Sequence, residues 1–178
     1  MKENMSKPVI YFVCTGNAAR SPMAEVMLRS LDTAQQLEIR SAGTLVIEGR
    51  PMGTRTRRAL ERHGLSDFNH RSKQFRTEDA LAADLVLVME PEHIHWIRVS
   101  IPEAAPITGM LRHVATYLIQ DNRSLPQKVS ELNLAELNPS WDDEVADPHV
   151  GDQDVYDYAA DDLFQLVKDL YPKLITST

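Results

Sequence analysis

A single cysteine, Cys14, stands in a chain of 178 residues, so neither an internal disulfide nor a multi-cysteine metal site can form. No basic block interleaved with aromatics occurs, and the formal net charge is -7, which excludes a general nucleic-acid binder. No apolar run approaches the roughly 20 residues that cross a bilayer, so no membrane partner is expected. Internal repeats and low-complexity tracts are also missing, and the length suits one domain over residues 1–178. The segment from Met1 to Lys7 is polar and lacks a small-residue cleavage site, so no secretory leader is expected. The default location is then the cytoplasm, where a free thiol stays reduced. His63, His93, His95 and His113 share no helical face with acids or with the cysteine, so no metal and no cofactor is implied.

What is present is an alternation of strands and helices. Pro8 to Val13 is a near-continuous β-rich run, the pattern of a strand buried on both faces of a parallel sheet. Ser21 to Leu37 follows with helical spacing, its apolar face made by Met23, Val26, Met27, Leu28, Leu31 and Leu37, with Pro22 in the first turn. Leu37 to Ala42, closed by Gly43, reads as a second strand. Asp84 to Met89 reads as a third, and Ala105 to Thr108 as a short fourth. Helices are predicted over Thr54–His63 with Gly64 as C-cap, Thr77–Ala83 with Thr77 as N-cap, Pro91–Val99, Gly109–Ile119 and Val155–Leu170. The last carries Tyr158, Leu163, Leu166, Val167 and Leu170 as its packing stripe. Asp121 to Glu144, punctuated by Pro126 and Pro139, reads as a polar surface insertion with one short helix near Lys128–Leu137. The expected fold class is α/β, a four-stranded parallel sheet with helices on both faces.

Chemistry concentrates where the first strand ends. Such a sheet collects ligands at the carboxyl ends of its strands, and there stands Cys14-Thr15-Gly16-Asn17-Ala18-Ala19-Arg20-Ser21-Pro22. A strand feeding a short loop that opens a helix aims amide dipoles at one spot and forms an anion site. A thiol placed there is favoured as the thiolate. Five residues between Cys14 and Arg20 let successive N–H groups converge on one oxyanion, and the guanidinium adds a planar fork. Gly16 is expected to supply backbone freedom in the tight loop, and the Ser21 hydroxyl to reach the sulfur. A lone cysteine is also commonly a small buried residue at a strand end; the order strand, glycine, Ser-Pro, helix favours the functional reading. Trp96 and Trp141 read as packing residues, and Arg55, Arg57 and Arg58 as the solvated face of a helix.

Val13 to Glu25 resembles the signature of the low-molecular-weight protein tyrosine phosphatases. The resemblance continues through Ser41-Ala42-Gly43-Thr44, Pro51-Met52, His70-Arg71-Ser72, Ala83 to Met89 and Asp147-Pro148. It implies that Cys14 is the nucleophile and Arg20 the phosphate clamp of a metal-independent phosphatase, with Thr15 to Ser21 as the phosphate-binding loop. It further implies that Asn17 shapes the loop, that Ser41 and His70 support it, and that Asp147 is the general acid. An alkoxide or phenolate leaves poorly until a proton reaches it, which is why the chemistry needs that acid. Taken alone, Asp147 belongs to an acidic run with Asp142, Asp143 and Glu144 that would pass for solvated surface.

The chain departs from its relatives at four points. Ala19 stands where many carry a second cysteine, so a protective disulfide with Cys14 is impossible and a small thiol must rescue the oxidised sulfur. Ala18 is small, and the expected substrate wall from Leu45 to Arg50 offers Val46 and Ile47 but no aromatic. His149 follows Asp147-Pro148 where an aromatic is common, with Tyr156 and Tyr158 as possible replacements. The expected partner is a phosphorylated protein, phosphotyrosine first, or a small phosphomonoester, with phosphate, arsenate or vanadate as inhibitors. Alternatives are a phosphoarginine phosphatase, an arsenate reductase borrowing external thiols, and a non-catalytic phosphate-binding module.

Overall fold

The computed structural model describes residues 7–175. Four strands, β1 (Val9–Cys14), β2 (Glu38–Gly43), β3 (Leu85–Val88) and β4 (Thr108–Met110), form one sheet. All pairings are parallel and the order is β2-β1-β3-β4. The chain therefore leaves β1 toward one side and returns to its other side, which puts the topological switch between β1 and β3. Seven α-helices accompany the strands: α1 (Arg20–Leu31), α2 (Thr54–Glu61), α3 (Thr77–Ala82), α4 (Pro91–Ser100), α5 (Leu111–Tyr117), α6 (Leu125–Ser130) and α7 (Gln153–Leu174).

The period of two along β1 divides the core. Ile10, Phe12 and Cys14 face the cluster built with α1, α5 and α7, while Tyr11 and Val13 face the one built with Ala80 of α3 and with Ile94 and Ile97 of α4. All four residues of β3 are buried, as both-sided burial in a parallel sheet requires. Cys14 thus points toward α1 and α7, the face on which its loop closes.

Several boundaries differ from the expectation, each for a local reason. The first helix stops at Leu31 rather than Leu37, because the Asp32 carboxylate accepts the amides of Gln36 and Leu37 at 2.9 Å each and Gln35 turns left-handed at φ 52°. Leu37 keeps its burial but leads into β2. Residues 105–107 belong to a 3-10 turn, Pro102–Ile107, and the fourth strand begins only at Thr108. It takes up Gly109, so α5 starts two residues later than Gly109 and ends at Tyr117. Arg76, not Thr77, caps α3, with the Asp79 carboxylate accepting its amide at 3.0 Å. The last helix extends at both ends, and Tyr158 is 68% exposed, off the buried stripe that Ala159 and Ala160 join instead.

The region 121–144 is less of a surface insertion than its polarity suggests. Its helix lies at Leu125–Ser130, earlier than Lys128–Leu137, started by Ser124 and Gln127 in a reciprocal cap. Leu125, Val129 and Leu134 are buried, and Arg98 donates to the carbonyls of Leu134 and Leu137 at 2.9 and 2.6 Å. Trp141, expected to pack, is 57% exposed. The segment ends with the Val145 amide donating to the Met89 carbonyl at 2.8 Å. That bond ties the stretch before Asp147 to the end of β3.

Candidate active site

The loop between β1 and α1 is fastened from outside. Carbonyls of Cys14 and Thr15 accept the amides of Thr44 and Leu45 at 2.9 Å each. The amides from Thr15 to Arg20 have no protein acceptor among the described residues, which leaves a run of donors of the kind that cradles an anion.

Asn17 holds the loop from within. It is fully buried and left-handed at φ 50°, a conformation asparagine tolerates better than most residues. Its amide nitrogen donates to the hydroxyls of Ser21 at 3.0 Å and Ser41 at 2.9 Å, and its side-chain oxygen accepts the Lys73 amide at 2.9 Å. The His70 Nε2 lies 2.9 Å from the Asn17 carbonyl oxygen and donates to it. Ser41 and His70 are therefore brought to the loop through Asn17.

Glycine's contribution is at Gly43, not at Gly16. Gly16 has no positive φ, and a Cβ there would meet only the Ala18 side chain at 4.0 Å. A Cβ on Gly43 would lie 2.4 Å from the Thr15 carbonyl oxygen and 2.9 Å from the Asn17 nitrogen. The end of β2 must be bare for the loop to lie against it.

Cys14 Sγ and Ser21 Oγ are 3.0 Å apart, and Ser21 Oγ also lies 3.2 Å from the Ala42 carbonyl. Behind them, Ser41 donates to the Glu25 carboxylate, which also pairs with Arg29 at 2.5 Å. Burial raises the pKa of Glu25. A continuous line of hydrogen bonds therefore runs Glu25, Ser41, Asn17, Ser21, Cys14.

Arg20 is 2% exposed and anchored by three acceptors. Nη1 donates to Glu90 at 2.5 Å and to the Val145 carbonyl at 3.1 Å, and Nη2 donates to Asp147 at 2.9 Å. A guanidinium carries five N–H groups, so Nε–H and one Nη2–H keep no partner among the described residues. The Asp147 side chain is 43% exposed, and its other oxygen accepts the His149 amide at 3.0 Å.

Cys14, Thr15, Gly16, Ala18, Ala19, Arg20, Asp147 and His149 line one cleft of about 270 Å³, together with Gly53, Thr56 and Tyr156. Val46 and Ile47 do not line it. Ile47 is 65% exposed and uses its carbonyl to hold Ser72, and the start of α2 stands where they were expected. Tyr156 is thus the one Phe, Tyr or Trp among the described residues that line the cleft, beside the imidazole of His149. A larger hollow of about 820 Å³ lies behind the loop, among Glu25, Ser41 and His70, and does not contain Cys14.

Glu90 and His93 escaped the sequence reading. The Met89 amide donates to His93 Nδ1 at 3.3 Å, so Nε2 carries the proton and donates to the Thr15 hydroxyl at 3.0 Å. Burial, with the Arg20 charge nearby, pushes His93 down from 6.5 to about 3, so it stays neutral. The signal for both was the third strand itself: residues just after it must lie beside Cys14 at the switch point.

Fold and site together define a doubly wound α/β protein with a thiol-bearing loop at its switch point. The family described as "Low molecular weight phosphotyrosine protein phosphatase" matches residues 9–177. The protein-arginine-phosphatase of Geobacillus stearothermophilus is 31% identical over 94% of this chain and 96% of its own. The YwlE arginine phosphatase structure from the same organism superposes with a TM-score of 0.76 at 30% identity, covering 94% of this chain and 92% of that one. The Escherichia coli tyrosine phosphatase Wzb, in complex with sulphate, gives 0.75 at 27% identity over 96% and 100%. The chain belongs to the low molecular weight phosphotyrosine protein phosphatase family, and it is a phosphatase.

Proposed function

We propose that this phosphatase removes the phosphoryl group from phosphotyrosine in proteins through a cysteinyl-phosphate intermediate. The observation that carries the reading is that Cys14, Arg20 and Asp147, up to 133 positions apart in sequence, line one cleft. The Cys14 thiolate attacks phosphorus, forming S–P as the ester O–P bond breaks. Ser21 has one hydroxyl proton and two acceptors, the Ala42 carbonyl and the sulfur. It turns that proton to the sulfur when the thiol ionises. Loop amides and the two remaining Arg20 protons hold the equatorial oxygens, where charge accumulates in the transition state. Asp147, at the edge of the same cleft, protonates the leaving oxygen and then takes a proton from the water that hydrolyses S–P. His93 and Glu90 orient Thr15 and Arg20 without touching the substrate.

Phosphoarginine is the second reading. The cleft offers one phenol ring, Tyr156, beside the imidazole of His149 to stack on a phenyl group, and a half-exposed carboxylate at its mouth suits a guanidinium. The similar protein-arginine-phosphatase speaks for it as well. Turnover of phosphotyrosyl and phosphoarginyl peptides side by side, in chelator, with arsenate plus thiol as a third arm, decides among them. Full hydrolysis by Cys14→Ser or Cys14→Ala would overturn the thiolate mechanism.

A further inference from the structure

Among the described residues, arginines are paired almost everywhere in this acidic chain except beside the cleft. Of the thirteen in the sequence, seven form ion pairs with carboxylates. Two more, Arg71 and Arg98, donate to backbone carbonyls. The remaining four are Arg50, Arg55, Arg57 and Arg58, in a stretch from Gly49 to Leu60 without an acid. Arg57 reaches only the Thr54 hydroxyl on its own helix, at 3.5 Å. Acids are close at hand: Asp157 and Asp161 of α7 serve Arg62, just past the end of α2, at 3.5 Å each. The pairing stops where the helix approaches the cleft.

Local stability does not account for this arrangement. Arg55, Arg57 and Arg58 spread over the face of α2 opposite buried Thr56, Ala59 and Leu60. Arg55 and Arg57 stand at its N-terminal end, where the helix dipole disfavours positive charge and no acid in the first turn offsets it, while Arg58 lies in its last turn. Gly53 and Thr56, between them, line the cleft that holds Cys14, so the arginines border the path of whatever chain carries the phosphoryl group.

We propose that Arg50, Arg55, Arg57 and Arg58 form a docking strip for acidic residues flanking the phosphorylated side chain of a protein substrate. The proposal rests on the phosphatase reading above and adds a substrate preference to it. Unpaired guanidinium groups on a chain of net charge -7 concentrate attraction for carboxylates at the site entrance, while the rest of the surface repels them. Each exposed pair contributes little, so several must act together.

The test compares phosphotyrosyl peptides flanked by three glutamates, three alanines or three lysines, with p-nitrophenyl phosphate as the small reference substrate. The glutamate peptide is expected to exceed the alanine one by about tenfold in kcat/KM at low salt. The preference should shrink as ionic strength rises from about 0.01 to about 1 M and the screening length falls from about 30 to about 3 Å. In the R50Q/R55Q/R57Q/R58Q variant the preference should vanish and in R50E/R55E/R57E/R58E it should turn toward lysine, with p-nitrophenyl phosphate turnover unchanged. Equal kcat/KM for the three peptides in the unaltered protein, or a preference that survives charge reversal, would overturn the strip. Fluorescence anisotropy of the same peptides on the Cys14→Ser variant reads the preference without turnover. A total lack of hydrolysis then sinks the phosphatase reading while the strip is still decided.

Discussion

Replacing His93 by asparagine is expected to remove about 2 kcal/mol of acid sensitivity. In the folded protein His93 is 2% exposed, and burial with the Arg20 charge pushes it from 6.5 to about 3. The unfolded imidazole takes up a proton below pH 6.5 and the folded one does not. A folded value below the unfolded one means stability that is present above pH 6.5 and lost as pH falls toward 3. At about 1.36 kcal/mol for each pH unit, the roughly 1.5 units from 6.5 down to 5 amount to about 2 kcal/mol. Asparagine keeps an acceptor for the Met89 amide and has nothing to titrate. Any cost of losing the Thr15 contact falls equally at both pH values. Glu25, raised by burial, runs the other way, stabilising as pH falls, but it is common to both proteins and cancels. Urea unfolding of both proteins at pH 7 and pH 5 measures the difference of differences. If both lose the same stability between those pH values, within about 0.5 kcal/mol, the buried neutral histidine is the wrong description.

Three further outcomes follow from the site. Gly43→Ala puts a methyl group 2.4 Å from the Thr15 carbonyl oxygen; it should cost about 3 kcal/mol or more and depress kcat, read by thermal unfolding and turnover together. Asn17→Ala removes three side-chain hydrogen bonds and leaves alanine at φ 50°; a loss of about 3 kcal/mol is expected, and a fall under about 1 kcal/mol would show that the loop holds its shape without them. Asp147→Asn should lower kcat on a phosphomonoester by about 10²–10⁴-fold with little change in KM, an effect that should fade for substrates whose leaving group needs no proton.

The strand runs, the helix-opening Ser21-Pro22 and the spacing from Cys14 to Arg20 are local patterns, and a parallel α/β sheet with a thiol at a strand end is legible from them. Period-two geometry puts Cys14 on the same face of β1 as Ile10 and Phe12, but the run is apolar throughout, so which helices that face meets came only from the packing. The polar stretch before Asp147 misled, since its buried residues Leu125, Val129 and Leu134 are set among charged and polar neighbours and broken by Pro126 and Pro139, and Leu125 and Val129 alone are too few for an apolar stripe. Gly16 misled as well. A glycine in a tight loop suggests backbone freedom, but the freedom needed was space, and the space was needed on the neighbouring strand at Gly43.

By itself the sequence determined the fold class, the loop with its single thiol and arginine, and the absence of any second cysteine to guard it. Tertiary structure alone decided that Glu90, Val145 and Asp147 converge on Arg20, that His93 is neutral beneath Thr15, and that α2 rather than Val46 and Ile47 walls the cleft. The physical reason is range. Periodicity and loop chemistry act over a few residues, whereas these contacts join groups up to 127 positions apart, which meet only because parallel strands bring their carboxyl ends to one edge of the sheet.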